Sequence, residues 1–295
     1  MSRDYADRLN RVVDYIDDHL GSDLTLERLA GVACFSKFHF GRVFQACMGE
    51  SLFEFIGRTR LERAAARLLH NRSESITSIA LACGFDNPSA FSRSFRRHFG
   101  VSATAWRAGA CTSIPERDSG TRSSGIVDPL RTEPSVSVVL LPENTIAYVR
   151  HIGPYAADPE LFQRLFGTLL RWAGPRDLVS YPLDTYCVYH DAPGITADER
   201  LRVTVGIPVA PGTSTSQGVG LMTIAPGRYA VTSVELGPTE YGAAWTWVFG
   251  RWLPDSGYEP DDGPVFEHCR IATGSEIDDE RQQIEICVPV RPADA

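Results

Sequence analysis

Through the first hundred residues, apolar side chains recur every three to four positions, the spacing that gives a helix one buried face. Two stretches share a single pattern: Leu26-Glu-Arg-Leu29-Ala30-Gly-Val-Ala33-Cys-Phe35 is echoed about fifty residues later by Ile76-Thr-Ser-Ile79-Ala80-Leu-Ala-Cys83-Gly84-Phe85. Self-similarity of this kind marks a repeated structural unit. Downstream, Phe40-x-Arg42-x-Phe44 closed by Gly49 matches Phe91-x-Arg93-x-Phe95 closed by Gly100, with one residue of slippage in the turn. Each unit reads as a short helix, a turn carrying Ser36 or Asp86-Asn87-Pro88, and a second helix rich in Arg and Phe, which together make a helix-turn-helix. Between the units, Ser51 to His70 keeps helical spacing and, at ~1.5 Å per residue, spans ~30 Å. Successive major-groove segments on one face of B-DNA lie ~34 Å apart. A chain with this layout reaches two of them without dimerising.

The period changes further on. Residues 109–135 lose all periodicity and fill with Gly, Ser, Pro and Arg, as a flexible linker does. After them, residues 136–141, 145–151, 185–190 and 201–209 are short β-branched or aromatic runs, interrupted by a helical pattern at 159–173 with Leu161, Leu165, Leu169 and Trp172 on one face. Residues 221–235, a helix at 239–253, and runs at 265–271 and 283–290 repeat that order. Val203-Thr-Val205-Gly-Ile207-Pro-Val209 aligns with Ile284-Glu-Ile286-Cys-Val288-Pro-Val290, and Arg150-His-Ile-Gly153-Pro154 with Val234-Glu-Leu-Gly237-Pro238. Two βαββ halves related by a pseudo-twofold enclose a cleft. The expected organisation is an all-helical tandem helix-turn-helix domain at 1–108, a linker at 109–135 and a duplicated α+β domain with a central cleft at 136–291.

Composition sharpens this division. The 295 residues carry a net charge of −8, an odd balance for a DNA binder until it is split. Through Ala110 there are 15 basic and 12 acidic residues, and beyond it 14 basic and 25 acidic, so the halves carry +3 and −11. Nucleic acid belongs with the first half, and the second attracts cations. No apolar run is long enough to span a bilayer and no signal peptide opens the chain, so a cytoplasmic protein without a membrane partner is expected. Seven scattered cysteines lack CxxC or CxxH spacing, and no HExxH, P-loop or nucleophile elbow is present. Neither a metal nor a cofactor is expected. The acidic segment 255–264 departs from EF-hand spacing and reads as a surface turn.

In the first recognition helix, Ser36 is the expected N-cap, and Lys37, Phe38, His39, Gly41 and Arg42 are the residues free to face outward. Arg42 suits a bidentate contact to guanine O6 and N7, with a phosphate contact as the alternative. In the second, Ser89, Ala90 and Arg93 occupy the equivalent surface, and Arg96 and Arg97 read as phosphate clamps near the helix end, with an ordinary solvated face as the alternative. In the distal domain, alternation places Ile284, Ile286 and Val288 under helices and Glu285 on the opposite face, a single carboxylate aimed at the cleft, with an exposed edge carboxylate as the alternative. Tyr148, Tyr155, Trp172, Tyr189, Trp245, Trp247 and Phe266 are candidates for an aromatic ring around it, a setting for flat or greasy cations.

These motifs carry two resemblances. Leu29-Ala30, Ser36-Lys37-Phe38-His39-Phe40-x-Arg42-x-Phe44, Arg60-Leu-Glu-Arg63-Ala64, Ile79-Ala80-x-x-x-Gly84-Phe85 and Phe91-Ser-Arg93-x-Phe95-x-x-x-Phe99-Gly100 resemble the AraC/XylS-type DNA-binding domain over residues 5–108. The resemblance implies base reading by Phe38, His39, Arg42 and Arg93, with Gly41 departing from the longer polar residue usual there. Arg150-His-Ile-Gly153-Pro154-Tyr155, Ile224-x-Pro226-Gly227-Arg228-Tyr229-Ala230, Gly263-Pro264-x-Phe266-Glu267 and Ile284-Glu285-Ile286-x-Val288-Pro289 resemble a GyrI-like (SHS2-type) effector-binding domain over residues 136–291. DNA-binding half first and GyrI-like half second is the Rob-type order. It implies a transcription regulator that binds double-stranded DNA and a small hydrophobic or cationic effector, with RNA polymerase as a candidate partner. Two alternatives stand beside it: hydrolysis of a small molecule by the distal domain, and a gyrase-inhibitor-like protein-interaction module.

Overall fold

The computed structural model describes residues 3–110, 130, 134–272 and 281–293, which form two units, one helical and one built on a sheet. Of the expected linker, residues 111–129 and 131–133 lie outside the described residues.

The helical unit runs α1 (Arg3–Asp18), α2 (Leu26–Val32), α3 (Lys37–Met48), α4 (Leu52–His70), α5 (Ile76–Ala82), α6 (Pro88–Phe99) and α7 (Ala103–Arg107). Its helices start where side chains satisfy the first free N–H groups. Thr25, Ser75 and Ser102 accept from the backbone N–H three residues on, and Asn87 does so at 2.7 Å ahead of Pro88. Ser51 and Glu54 form a reciprocal capping box at the head of α4. Ser36 holds the expected N-cap position of α3 but makes no side-chain capping bond. The first repeat buries Val12, Ile16, Leu29, Phe40 and Phe44 in one core, and the second buries Leu68, Ile79, Phe91, Phe95 and Trp106 in another.

Arginines along α4 tie these pieces together. Arg58 is buried and meets Glu50 at 2.6 Å and Glu62 at 2.8 Å, which anchors the chain just past the end of α3. Arg60 donates to the Leu20 and Ser22 carbonyls at 3.0 and 2.8 Å, Arg63 to the Asp17 carbonyl at 3.2 Å, and Arg67 to Glu74 at 2.8 Å.

In the second unit, strands β1 (Ser135–Leu141), β2 (Asn144–Ile152), β3 (Leu183–Tyr189), β4 (Arg202–Pro208), β5 (Gly220–Ile224), β6 (Gly227–Leu236), β7 (Tyr258–Pro260), β8 (Val265–Ile271) and β9 (Gln282–Pro292) make one sheet. Helix α8 (Pro159–Ala173) lies between β2 and β3. Helix α9 (Tyr241–Trp247), continued by a π turn at Val248–Trp252, lies between β6 and β7. The order β1-β6-β9-β8-β3-β4-β2-β5 reads the same from either end once the copies are exchanged, so the pseudo-twofold falls on the β3–β8 pair. Each copy lends its first strand to the other: β1 pairs with β6, and β5 lies beside β2.

That exchange bends the sheet. Laid flat, β1 and β2 would stand six strand spacings apart, ~29 Å at ~4.8 Å each. Only residues 142–143 join them, and three Cα steps reach no more than ~11 Å. The same holds for β5 and β6, joined by Ala225-Pro226. The sheet therefore curls, with α8 and α9 against one face and Ile146, Val188, Phe266, Cys287 and Tyr229 gathered on the other. Ala225-Pro226 divides the run at 221–235 into β5 and β6, the two strands that the repeated order requires, whereas the segment expected to be a plain turn at 255–264 contains β7, paired with the end of β9.

Gly84 supplies a test of the helical packing. At φ 84° a Cβ there would lie 2.7 Å from both the Leu20 carbonyl oxygen and the Arg60 guanidinium, whereas Gly100, at φ 78°, faces open space. Gly84→Ala is expected to cost ~2–4 kcal/mol, combining left-handed strain with overpacking, and Gly100→Ala only ~1 kcal/mol. Denaturant unfolding of the two variants measures the difference.

Candidate DNA-contact surface and buried ligand site

On α3 the apolar stripe Phe40, Val43 and Phe44 is buried, which leaves Lys37, His39 and Arg42 exposed. Phe38 is placed on the same helix by its backbone. Lys37 makes a surface ion pair with Glu27 at 3.4 Å, of the kind water weakens to ~1 kcal/mol or less. The His39 ring packs edge-on against Phe35 at 5.3 Å and lies 3.5 Å from the Tyr5 hydroxyl, so α1 restrains it. Arg42 projects from the exposed face, and Gln45, one turn further along, is exposed beside it. Gln45 is not among the expected contacts, and its i+3 spacing from Arg42 is the signal that marks it. On α6, burial of Phe91 and Phe95 leaves Ser89, Ser92, Arg93, Arg96 and Arg97 exposed and Ala90 half-buried.

The distal aromatics divide between the two faces of the sheet. Tyr148 and Phe266 lie on the face away from the helices, where Arg150 stacks on Tyr148 at 4.9 Å and Phe266 packs against Tyr186 and Tyr229. Glu285 shares that face, as alternation requires, but its side chain is 43% exposed and is met by His268 Nδ1 at 2.8 Å. His268 is also bonded to Asp184 at 3.0 Å, and Arg270 grips Asp184 at 2.7 Å. The hydrogen bond from Arg270 holds the Asp184 carboxyl below its usual range. Trp172 is buried on α8 under Arg176, and Trp247 packs into the core beneath α9. None of the described aromatic contacts joins these residues around Glu285 except through the Tyr186–His268 stack.

A different carboxylate has the aromatic surroundings. Across β3 and β8, Cys187 pairs with Glu267, and Ile286 of β9 flanks Glu267 on the other side, which sets Glu267 on the helix-covered face near the pseudo-twofold. Tyr189, two residues along β3 from Cys187, donates its hydroxyl to Glu267 Oε2 at 2.9 Å, and Trp245 of α9 donates Nε1–H to Oε1 at 2.6 Å. Tyr155, at the entry to α8, lies 5.6 Å from Tyr189, and Tyr189 meets Trp245 edge-on at 5.6 Å. So Tyr155, Tyr189 and Trp245 are brought together, and the group they surround is Glu267. Alternation alone consigns Glu267 to the core under the helices. The signal for it was the stretch Gly263-Pro264-x-Phe266-Glu267, where Phe266 faces one way and Glu267 the other.

Glu267 is 5% exposed. Burial pushes its carboxyl up to about 7 from the ordinary 4.5, while the Trp245 and Tyr189 hydrogen bonds pull it back. No lysine, arginine or histidine pairs with it among the described residues. Burial also raises the Tyr155 and Tyr189 phenols and the Cys187 thiol, so these neighbours stay neutral at physiological pH.

A tandem helix-turn-helix followed by a curled, duplicated βαββ sheet with a buried acid defines a two-domain class, one domain for DNA and one for a small ligand. Residues 134–291 match the GyrI-like small molecule binding domain and residues 29–109 match a helix-turn-helix domain of the AraC type. The chain belongs to the GyrI-like family, with an AraC-type helix-turn-helix ahead of the GyrI-like domain. It is 35% identical over 103 residues to the uncharacterized HTH-type transcriptional regulator YbfP of Bacillus subtilis, covering 35% of each chain. It is 34% identical over 125 residues to a DNA gyrase inhibitor of Serratia proteamaculans, covering 41% of this chain and 76% of that one. The DNA-binding domain of AdpA, solved with a target DNA, shares 34% identity over 35% of this chain and 92% of its own, with a TM-score of 0.33. The match spans about a third of the length of YbfP. Among the described residues no helix is long and apolar enough to cross a membrane.

The Glu267 environment predicts a pH signature. A carboxyl whose value is raised on folding holds its proton in the native state over a range where the unfolded chain has lost it. Its contribution is therefore fully present below about 4.5 and is lost as pH rises to about 7, a change on the order of 3 kcal/mol. Glu267→Gln, isosteric and always neutral, should flatten the fall in stability between pH 4.5 and 7, as read from denaturant midpoints. An unchanged slope would show that Glu267 does not titrate there.

Proposed function

We propose that the chain is a ligand-responsive transcription regulator, in which α3 and α6 read two successive major grooves and a flat, lipophilic cation occupies the site at Glu267. The observation that carries the ligand half is a buried carboxylate held, among the described residues, only by neutral donors, Tyr189 and Trp245, beneath aromatic rings. Desolvation makes such an anion costly until a cation arrives, and the aromatic faces around it suit the same ligand. In this reading Glu267 takes the role first expected of Glu285, with Tyr155, Tyr189 and Trp245 as its walls.

On the DNA side, Arg42 and Arg93 are the base readers, Ser89 a lesser contact, and Lys37, Arg96 and Arg97 positioning contacts to phosphate. Occupation of the ligand site changes DNA binding or the engagement of RNA polymerase, which requires that the ligand bind one state better than the other.

Selection of binding sites from random duplexes with the purified protein tests the DNA half. Arg42→Ala should lose ~1–3 kcal/mol on the selected site and relax preference at one position, whereas Arg96→Ala should weaken all sequences alike and reduce the salt slope by about one. Equal weakening on every sequence by Arg42→Ala would reassign it to phosphate. Transcription from the selected site, with and without an aromatic quaternary ammonium, tests the coupling. Recovery of the compound unchanged identifies a sensor, and its conversion identifies the hydrolase alternative.

A further inference from the structure

Helix α4 sets the distance between the two recognition helices, but a single helix does not by itself fix how far one repeat is rolled about its axis relative to the other. Two grooves of one duplex impose that angle as strictly as the spacing, because each added base pair both lengthens and rotates the site. Beyond the packing of each repeat on α4, the contacts around Arg60 are placed to hold that phase. From α4, Arg60 reaches the α1–α2 turn and donates to the carbonyls of Leu20 at 3.0 Å and Ser22 at 2.8 Å. Its guanidinium is attracted by Asp23 on that side and by Asp86 in the α5–α6 turn on the other.

Two glycines let these turns close on one another. A Cβ on Gly84 of the second repeat would strike the Leu20 carbonyl oxygen and the Arg60 guanidinium, both at 2.7 Å. A Cβ on Gly21 of the first would lie 2.6 Å from the Ala82 carbonyl oxygen at the end of α5. The turn of one repeat is thus in backbone contact with the turn of the other, and Arg60 is wedged at that junction with hydrogen bonds to one side and charge attraction to both.

We propose that Arg60, with Gly21 and Gly84, is a positioning element that locks the rotational phase of the two helix-turn-helix repeats and so sets the half-site spacing the protein accepts. The inference rests on the proposed reading of two successive major grooves by α3 and α6. Arg60 touches no base in this account. It acts on which spacing is tolerated, not on which bases are read.

The test uses the full chain and the bipartite site selected with it, remade with one or two base pairs inserted or deleted between the halves. Wild type is expected to lose at least tenfold in affinity for each altered spacing. Arg60→Gln should shrink that penalty to under threefold while binding a duplex with one intact half-site as wild type does. Gly21→Ala, which leaves Arg60 in place but forces the α1–α2 turn off Ala82, should move the preferred spacing. A spacing penalty unchanged in both variants overturns the proposal. So does a loss that is equal on all duplexes, the half-site included, since that marks a merely structural role. A selected site that contains only one half would instead defeat the two-groove reading itself.

Discussion

The pairing of β3 with β8 is the constraint on which the ligand unit depends. It is the seam between the two copies of the βαββ repeat, and its register, Cys187 opposite Glu267 and Val188 opposite Phe266, decides which side chains lie under the helices. A slip of one residue would turn Glu267 away from Trp245 and put Phe266 in its place. Because β1 and β5 are exchanged between copies, neither half closes without the other, and the curl of the sheet draws α8 and α9 to the same face. The acid therefore stands where both copies contribute: Tyr155 and Tyr189 from the first, Trp245 from the second.

Physical cost explains why this arrangement reads as a site instead of a packing detail. An acid buried among aromatics, with two neutral hydrogen bonds and no counter-cation among the described residues, is less stable than an apolar residue of the same size would be there. The His268 cluster on the opposite face shows the contrast. There Glu285 and Asp184 are partly exposed and share His268 as a hydrogen-bond partner, and Asp184 also pairs with Arg270. The helical unit spends its buried charge differently again, with Arg58 between Glu50 and Glu62 as a closed cluster that pins α3 to α4.

Much of this was legible in the residues. The helix-turn-helix repeats announce themselves because each helix carries a 3.6-residue apolar period and a capping residue, and burial of Phe40, Phe44, Phe91 and Phe95 leaves the arginines outside. The duplication was visible in the Val203 and Ile284 runs. The closure of the sheet was not, because alternation loses its meaning where both faces of a strand are covered: in β4 every residue from Arg202 to Ile207 is buried. For the same reason alternation separates the two faces at Glu285 without ranking them, and the carboxylate with aromatic partners lies on the other face, beneath the helices. β7 escaped notice because three residues, one of them Pro260, are too few to show a period.

The proposed ligand site stands or falls with Glu267 as a cation-binding carboxylate. Isothermal titration calorimetry with a matched pair, an aromatic quaternary ammonium and its uncharged carbon isostere, against wild type and Glu267→Gln measures this. Wild type is expected to prefer the cation by tenfold or more, about 1.4 kcal/mol, and the variant to bind the two compounds alike. Equal affinity of wild type for both, or a cation preference that survives in Glu267→Gln, would contradict it.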